Sequence, residues 1–137
     1  MADSIQAQVV ERLISLQKQW GLSFLFIGHD LALIRRISQR IAIMYMGEVV
    51  EILDSADLTE KAVHPYTRVL LDAVFDLYEE QEGRREKLQS MKIGQPLPEQ
   101  GCKFAPRCPL CSSACRNQPP EPKEYAAGHL VSCHGVT

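Results

Sequence analysis

The first 101 residues contain no cysteine. That absence excludes a disulfide framework from most of the chain, so any fold there must rest on apolar burial. No apolar run approaches the roughly 20 residues that a membrane-spanning helix needs. The opening MADSIQAQ has neither the basic nor the apolar region of a secretory signal, so the expected location is the cytosol. Nor is there an excess of basic charge: 15 Lys and Arg stand against 17 Asp and Glu, for a formal charge of −2. A nucleic-acid binder usually presents a basic face, so no nucleic-acid partner is expected.

What is present fits about one domain, with 137 residues and 45% hydrophobic content. Ile5, Val9, Leu13, Leu16 and Trp20 recur at helical spacing, which predicts an amphipathic helix with Ser4 as cap and Gly21 at its end. Leu22 to Ile27 is short and apolar on both faces, the pattern of a strand buried on both sides of a parallel sheet. Asp30 can cap a helix over Leu31 to Ile37. Arg40 to Met46 and Val49 to Leu53 read as two strands joined at Gly47-Glu48. Asp54 and Ser55 offer caps for a short helix. Pro65 can start another, Tyr66 to Tyr78, because its missing N–H costs nothing in a first turn. Glu79 to Lys87 is charged and expected to be solvated. The sum is an α/β architecture of about three strands with flanking helices, too few to cover a strand apolar on both faces. It reads as part of a larger domain.

From about Lys92 onward the composition changes. Five cysteines, Cys102, Cys108, Cys111, Cys115 and Cys133, fall in the last 36 residues, and seven prolines lie between Pro96 and Pro122. Proline fixes its own φ and lacks a donor, so no long helix or central strand is expected there. The segment has few apolar side chains to bury. Reduced cytosolic thiols point to a metal site sooner than to disulfides, and an odd count cannot pair fully within one chain. Two units are therefore expected, residues 1–91 and a cysteine- and proline-rich module over 92–137. Four thiolates suit iron–sulfur and zinc equally by ligand type. The spacings Cys102-x5-Cys108-x6-Cys115-x17-Cys133 are looser than structural zinc knuckles. Cys111 could compete as a ligand, and His129 and His134 keep a mixed Cys/His zinc site open.

His29 lies where a buried strand would end and a helix begin, the place where ligands sit in open α/β sheets. Alone it reads as a loop histidine beside a capping aspartate. In context, the stretch LSFLFIGHDLALIRRISQRIAIMYMGEVVEIL over residues 22–53 resembles the switch region of ATP-binding-cassette ATPases. There an apolar strand ends in His-Asp, then come a short helix, a strand ending in Met, a glycine turn and a strand ending near Glu. His64-Pro65-Tyr66-Thr67 resembles a segment of the oligopeptide and dipeptide importer subfamily. Gly101-Cys102 through Arg107-Cys108-Pro109, Cys115 and Cys133 resembles that subfamily's C-terminal cysteine motif. The sequence has no G-x-x-x-x-G-K-[ST] loop, LSGGQ-like signature or apolar strand ending in Asp-Glu, so the resemblance covers only the C-terminal half of such a subunit.

The resemblance implies the following. His29 would be the switch histidine, contacting the γ-phosphate and placing the attacking water. Cys102, Cys108, Cys115 and Cys133 would hold one metal centre, a [4Fe–4S] cluster, with zinc as the alternative. ATP and Mg²⁺ would bind only in a complete subunit, and this chain alone is expected to be inactive. The partners would be membrane permease subunits and a second ATP-binding subunit, on the cytoplasmic face of the membrane, with self-association of this chain through its incomplete sheet. Two competing readings are a stand-alone metal-binding regulatory module and, third, a small zinc-ribbon interaction protein.

Overall fold

The computed structural model describes residues 5–75 and 96–136. The Ser4 cap, the last turn of the helix expected to end at Tyr78, the charged stretch Glu79 to Lys87 and the 91/92 boundary lie outside them. Helix α1, Ile5–Trp20, forms as the apolar spacing predicts, yet none of its residues is fully buried. Val9 is 51% exposed and Trp20 67%. The helix stripe is present, with Leu13 and Leu16 half-buried and its two ends open.

Residues 22–27 depart from expectation. They form no strand, and Leu25 and Ile27 are 88% and 90% exposed. The physical reason is pairing: a strand persists only where neighbours satisfy its backbone groups. Among the described residues no strand runs beside this one.

The chain becomes ordered around a core at α2, Leu31–Ile37, which Asp30 caps by accepting from the Leu33 N–H at 3.1 Å. Strand β1, Arg40–Tyr45, alternates so that Ile41, Ile43 and Tyr45 point inward. It pairs antiparallel with β2, Glu48–Asp54, with a bulge between Ile43 and Met44. The turn is Met46-Gly47, one residue earlier than the sequence suggested. Both residues have positive φ, 48° and 82°, the conformation that matches hairpin twist. The cap expected from Ser55 becomes a stitch instead, its hydroxyl donating to the Ser38 carbonyl. A 3₁₀ turn, Ser55–Asp57, leads into α3, Leu58–Lys61, and α4, Pro65–Phe75, begins at proline as expected.

The cysteine-rich stretch holds a 3₁₀ turn at Ala105–Arg107, a short helix α5, Ser113–Asn117, and two strands, β3, Lys123–Ala126, and β4, His129–Val131. Sequence reasoning anticipated neither strand. They complete a four-stranded antiparallel sheet in the order β1-β2-β4-β3, and β4 pairs with β2 at Glu51↔Val131 and Ile52↔Leu130. A partly parallel sheet was expected; every described pairing is antiparallel.

The stretch also shares the core. Phe104, 2% exposed, joins Leu31, Ile41, Ile43, Tyr45, Val50, Leu53, Leu58, Ala62 and Leu71. Its ring lies 5.3 Å from Tyr45 and 5.5 Å from Tyr66. One buried aromatic, with the two-pair ladder, anchors a segment that had looked too polar to dock.

Candidate functional site

His29 stands exposed on the loop before α2. The Asp30 carboxylate is occupied with the helix cap, so it fixes the loop and leaves the imidazole open to solvent. An imidazole so placed can meet an anionic group approaching the start of α2. Of the nearby arginines, Arg35 reaches Thr59 Oγ1 at 3.5 Å and Arg40 donates to the Gly128 carbonyl at 2.8 Å, which ties β1 to the β3–β4 turn.

The cysteines lie elsewhere. Gly101 has φ +96°, and a Cβ there would stand 2.4 Å from the Cys115 carbonyl oxygen. Only glycine lets the two backbones approach this closely. The approach allows the Cys102 N–H to donate to the Cys115 carbonyl at 2.7 Å. One backbone N–H also points at a sulfur. Leu110 donates to Cys108 Sγ at 3.4 Å, and the Ala105 N–H donates to the Cys102 carbonyl at 3.0 Å. Ser112 Oγ lies 3.4 Å from Cys115 Sγ.

These thiols influence one another electrostatically. Burial pushes Cys108 up to about 11; Cys133, Cys115 and Cys102 push the same way, against the Leu110 N–H. Cys102 and Cys133 are likewise raised, first by burial, and for each Cys115 is among the groups adding to the shift. Cys102, Cys108, Cys115 and Cys133 thus share one region. Cys111 turns to the Ser112 carbonyl at 3.6 Å. Burial thus favours the neutral thiol at Cys102, Cys108 and Cys133. Among the described residues, however, no group of three or more Cys, His, Asp or Glu side chains is drawn together tightly enough to grip one ion.

A second cluster escaped sequence reasoning. Glu51, 1% exposed, lies on β2 in the apolar run Val49-Val50-Glu51-Ile52-Leu53. Its carboxylate accepts from the N–H groups of Val63 at 2.9 Å and His64 at 3.2 Å. His129 Nε2 lies 2.6 Å from the same carboxylate. His64, also 1% exposed, accepts at Nδ1 from the Tyr66 N–H at 3.1 Å. Its other ring nitrogen therefore carries the proton in the neutral ring. Burial holds the His64 imidazole below its ordinary value, against the pull of Glu51, which favours the neutral ring. The buried Thr67 hydroxyl has no partner. The available signal was a carboxylate at an inward strand position, which must find donors or stay uncharged. Its partners come from residues 12 and 78 positions away, which spacing cannot show.

Residues 50–115 match the family described as oligopeptide/dipeptide transporter, C-terminal region. Along most of its length the chain is similar to proteins named as ATP-binding proteins of oligopeptide transport and peptide import. Among its relatives is AppF, the oligopeptide transport ATP-binding protein of Bacillus subtilis (strain 168), 39% identical over 133 residues, 96% of this chain and 40% of AppF. YkfD of the same strain, provisionally named for oligopeptide transport as an ATP-binding protein, is 42% identical over 133 residues with the same coverage. A Brucella ovis protein, provisionally named for peptide import as an ATP-binding protein, is 40% identical over 130 residues, 95% of this chain and 41% of that protein. The chain spans about two fifths of the length of these relatives. Among the described residues no helix is long and apolar enough to cross a membrane.

Proposed function

We propose that this chain serves as the C-terminal part of the ATP-binding subunit of a peptide importer. The carrying observation is the likeness, over 96% of the chain, to AppF, whose name assigns it oligopeptide transport and ATP binding. In the complete subunit ATP and Mg²⁺ bind to the N-terminal part and His29 meets the γ-phosphate. Phosphoryl transfer asks for positioning and charge stabilisation rather than covalent chemistry. An exposed imidazole on a loop held by the Asp30 cap suits that role, because it can donate to a phosphate oxygen and orient the attacking water. The partners of this reading are a second ATP-binding subunit and membrane permease subunits, with the assembly peripheral on the cytoplasmic face.

Cys102, Cys108, Cys115 and Cys133 hold one metal centre, a [4Fe–4S] cluster, with zinc as the runner-up. When bound, the centre supplies a cross-link among four thiolates, and its binding energy becomes folding energy for the segment. The chain's own contribution is to aim the Leu110 N–H at the Cys108 sulfur and to bring the Cys102 and Cys115 backbones together through Gly101. The cluster is favoured over zinc because a tetrahedral ion with bonds of about 2.3 Å demands sulfurs closer together than a polynuclear centre does. Elemental and sulfide analysis of anaerobically purified protein tests this. On the order of four irons per chain supports the cluster. Stoichiometric zinc without iron replaces it with the runner-up, and no metal with all thiols reactive removes the centre.

A further inference from the structure

Glu51 brings a carboxylate into the interior, and two distant parts of the chain meet on it. It accepts from the N–H groups of Val63 at 2.9 Å and His64 at 3.2 Å, the last two residues before α4. His129 Nε2, on β4, lies 2.6 Å from the same Oε1 that takes the Val63 N–H. Both oxygens accept from backbone N–H groups, so the imidazole is placed as a third donor. The Glu51 side chain is 0% exposed and that of His129 8%.

The start of α4 depends on this carboxylate. Pro65 has no N–H to offer. The His64 Nδ1 takes the Tyr66 N–H at 3.1 Å, and the His64 carbonyl takes that of Arg68 at 3.1 Å. His64 thus caps the helix with both its ring and its backbone, while Glu51 holds the His64 N–H.

The β3–β4 hairpin, by contrast, is tied down at few points. Two ladder pairs join β4 to β2. The Ser132 N–H donates to the Val50 carbonyl at 2.9 Å, and Arg40 reaches the Gly128 carbonyl at 2.8 Å. Every residue of β3 is exposed, and among the described residues no strand pairs with its outer edge. The β1–β2 hairpin is paired along its whole length, from Arg40↔Asp54 to Tyr45↔Glu48. A segment held as lightly as β3–β4 opens at a lower free energy than that hairpin.

We propose that β3–β4 is a releasable strap whose docking sets the start of α4, with Glu51 as the joint between them. While the strap lies on β2 it seals the carboxylate from water, and a sealed acceptor holds the Val63 and His64 N–H groups firmly. When the strap lifts, water competes for the carboxylate, and the two N–H groups that position the helix cap loosen. Coupling of this kind is reciprocal: whatever firms the α4 start also firms the strap. A partner engaging the exposed β3 strand is therefore felt at α4, some sixty residues earlier in the chain. The His64-Pro65-Tyr66 turn becomes the receiving end of that link as well as the start of a helix. No metal or nucleotide is needed for it.

The test is hydrogen exchange of the full chain, read amide by amide by NMR in low concentrations of urea. The Val63, His64 and Ser132 amides are expected to share one opening, with one free energy and one urea dependence, below that of the β1–β2 hairpin. Separate openings for Ser132 and for the Val63–His64 pair overturn the proposal, and so does exchange of all three only through global unfolding. His129→Phe supplies the second arm, removing the donor on β4 without touching β2 or α4. Val63 and His64 are expected to exchange at least about tenfold faster, the loss of one hydrogen bond to a carboxylate. Ser55, whose N–H donates to the Gln39 carbonyl at the open end of the β1–β2 hairpin, is expected to stay within about twofold of wild type. His129→Gln, whose amide can still donate to Glu51, is expected to restore most of the protection. A rise at Ser132 alone in His129→Phe overturns the coupling. If His129→Phe fails to fold, the wild-type urea series decides by itself.

Discussion

At Gly101 two constraints coincide: a left-handed φ of +96° and a Cβ position 2.4 Å from a backbone oxygen. Backbone cannot swing aside as a flexible side chain can, so Gly101→Ala should cost at least about 2 kcal/mol. Denaturant unfolding of the full chain measures it, and alkylation should show Cys102 and Cys115 exposed together. The thiols carry a pH dependence as well. Burial, and then the neighbouring thiols, raise Cys108 from 9.0 to about 11. A group raised on folding favours the folded state fully below its unfolded value, and that contribution is lost as pH rises through its folded value. The metal-free chain should therefore keep its stability below pH 9 and lose part of it between 9 and about 11. Urea midpoints taken across that window check the sign. Metal binding should show the opposite trend, strengthening with pH as protons leave the thiols. At this scale the clustering of the cysteines is visible in the sequence, whereas the pairing of Glu51 with His129 is not. A lone glutamate in a strand and a histidine near a cysteine look ordinary until folding places them 2.6 Å apart.

Among the elements, those built from local signals were read well. Helix α1, α2 with its Asp30 cap, both strands of the first hairpin and the Pro65 start of α4 all follow from periodicity and capping. Strands β3 and β4 were missed because proline density argued against strands, while the pairing that makes them is non-local. The run from Leu22 to Ile27 shows the opposite error: its composition is that of a buried strand, and its surroundings here leave Leu25 and Ile27 nearly bare. Such side chains drive association. Sedimentation of the full chain is expected to show dimers or larger species, and the double substitution Leu25→Glu with Ile27→Glu should return it toward monomer. A wild-type monomer that binds no apolar dye would contradict this.

For the whole molecule, the sequence suggested a catalytic remnant with a separate cysteine module. The cysteine-bearing segment adds two strands to the sheet and Phe104 to the core, with Glu51 linking β2, the start of α4 and β4. The α/β character and the incomplete α1–Leu22 side were legible, because apolar faces without enough elements to cover them can be read from the pattern. The joining of the two parts was not, because it rests on one aromatic side chain, two ladder pairs and a buried carboxylate distributed along the chain. The role of His29 is central, and it is tested most directly in a complete subunit made by following the N-terminal part of AppF with this chain. Nucleotide affinity and phosphate release are measured with Mg²⁺ for that subunit and its His29→Ala variant. ATP binding is expected to agree within about twofold, with turnover lowered on the order of a hundredfold or more in the variant, as for an interaction made in the transition state. A variant that binds ATP and hydrolyses it as fast as its parent would contradict the assignment of His29 to the γ-phosphate.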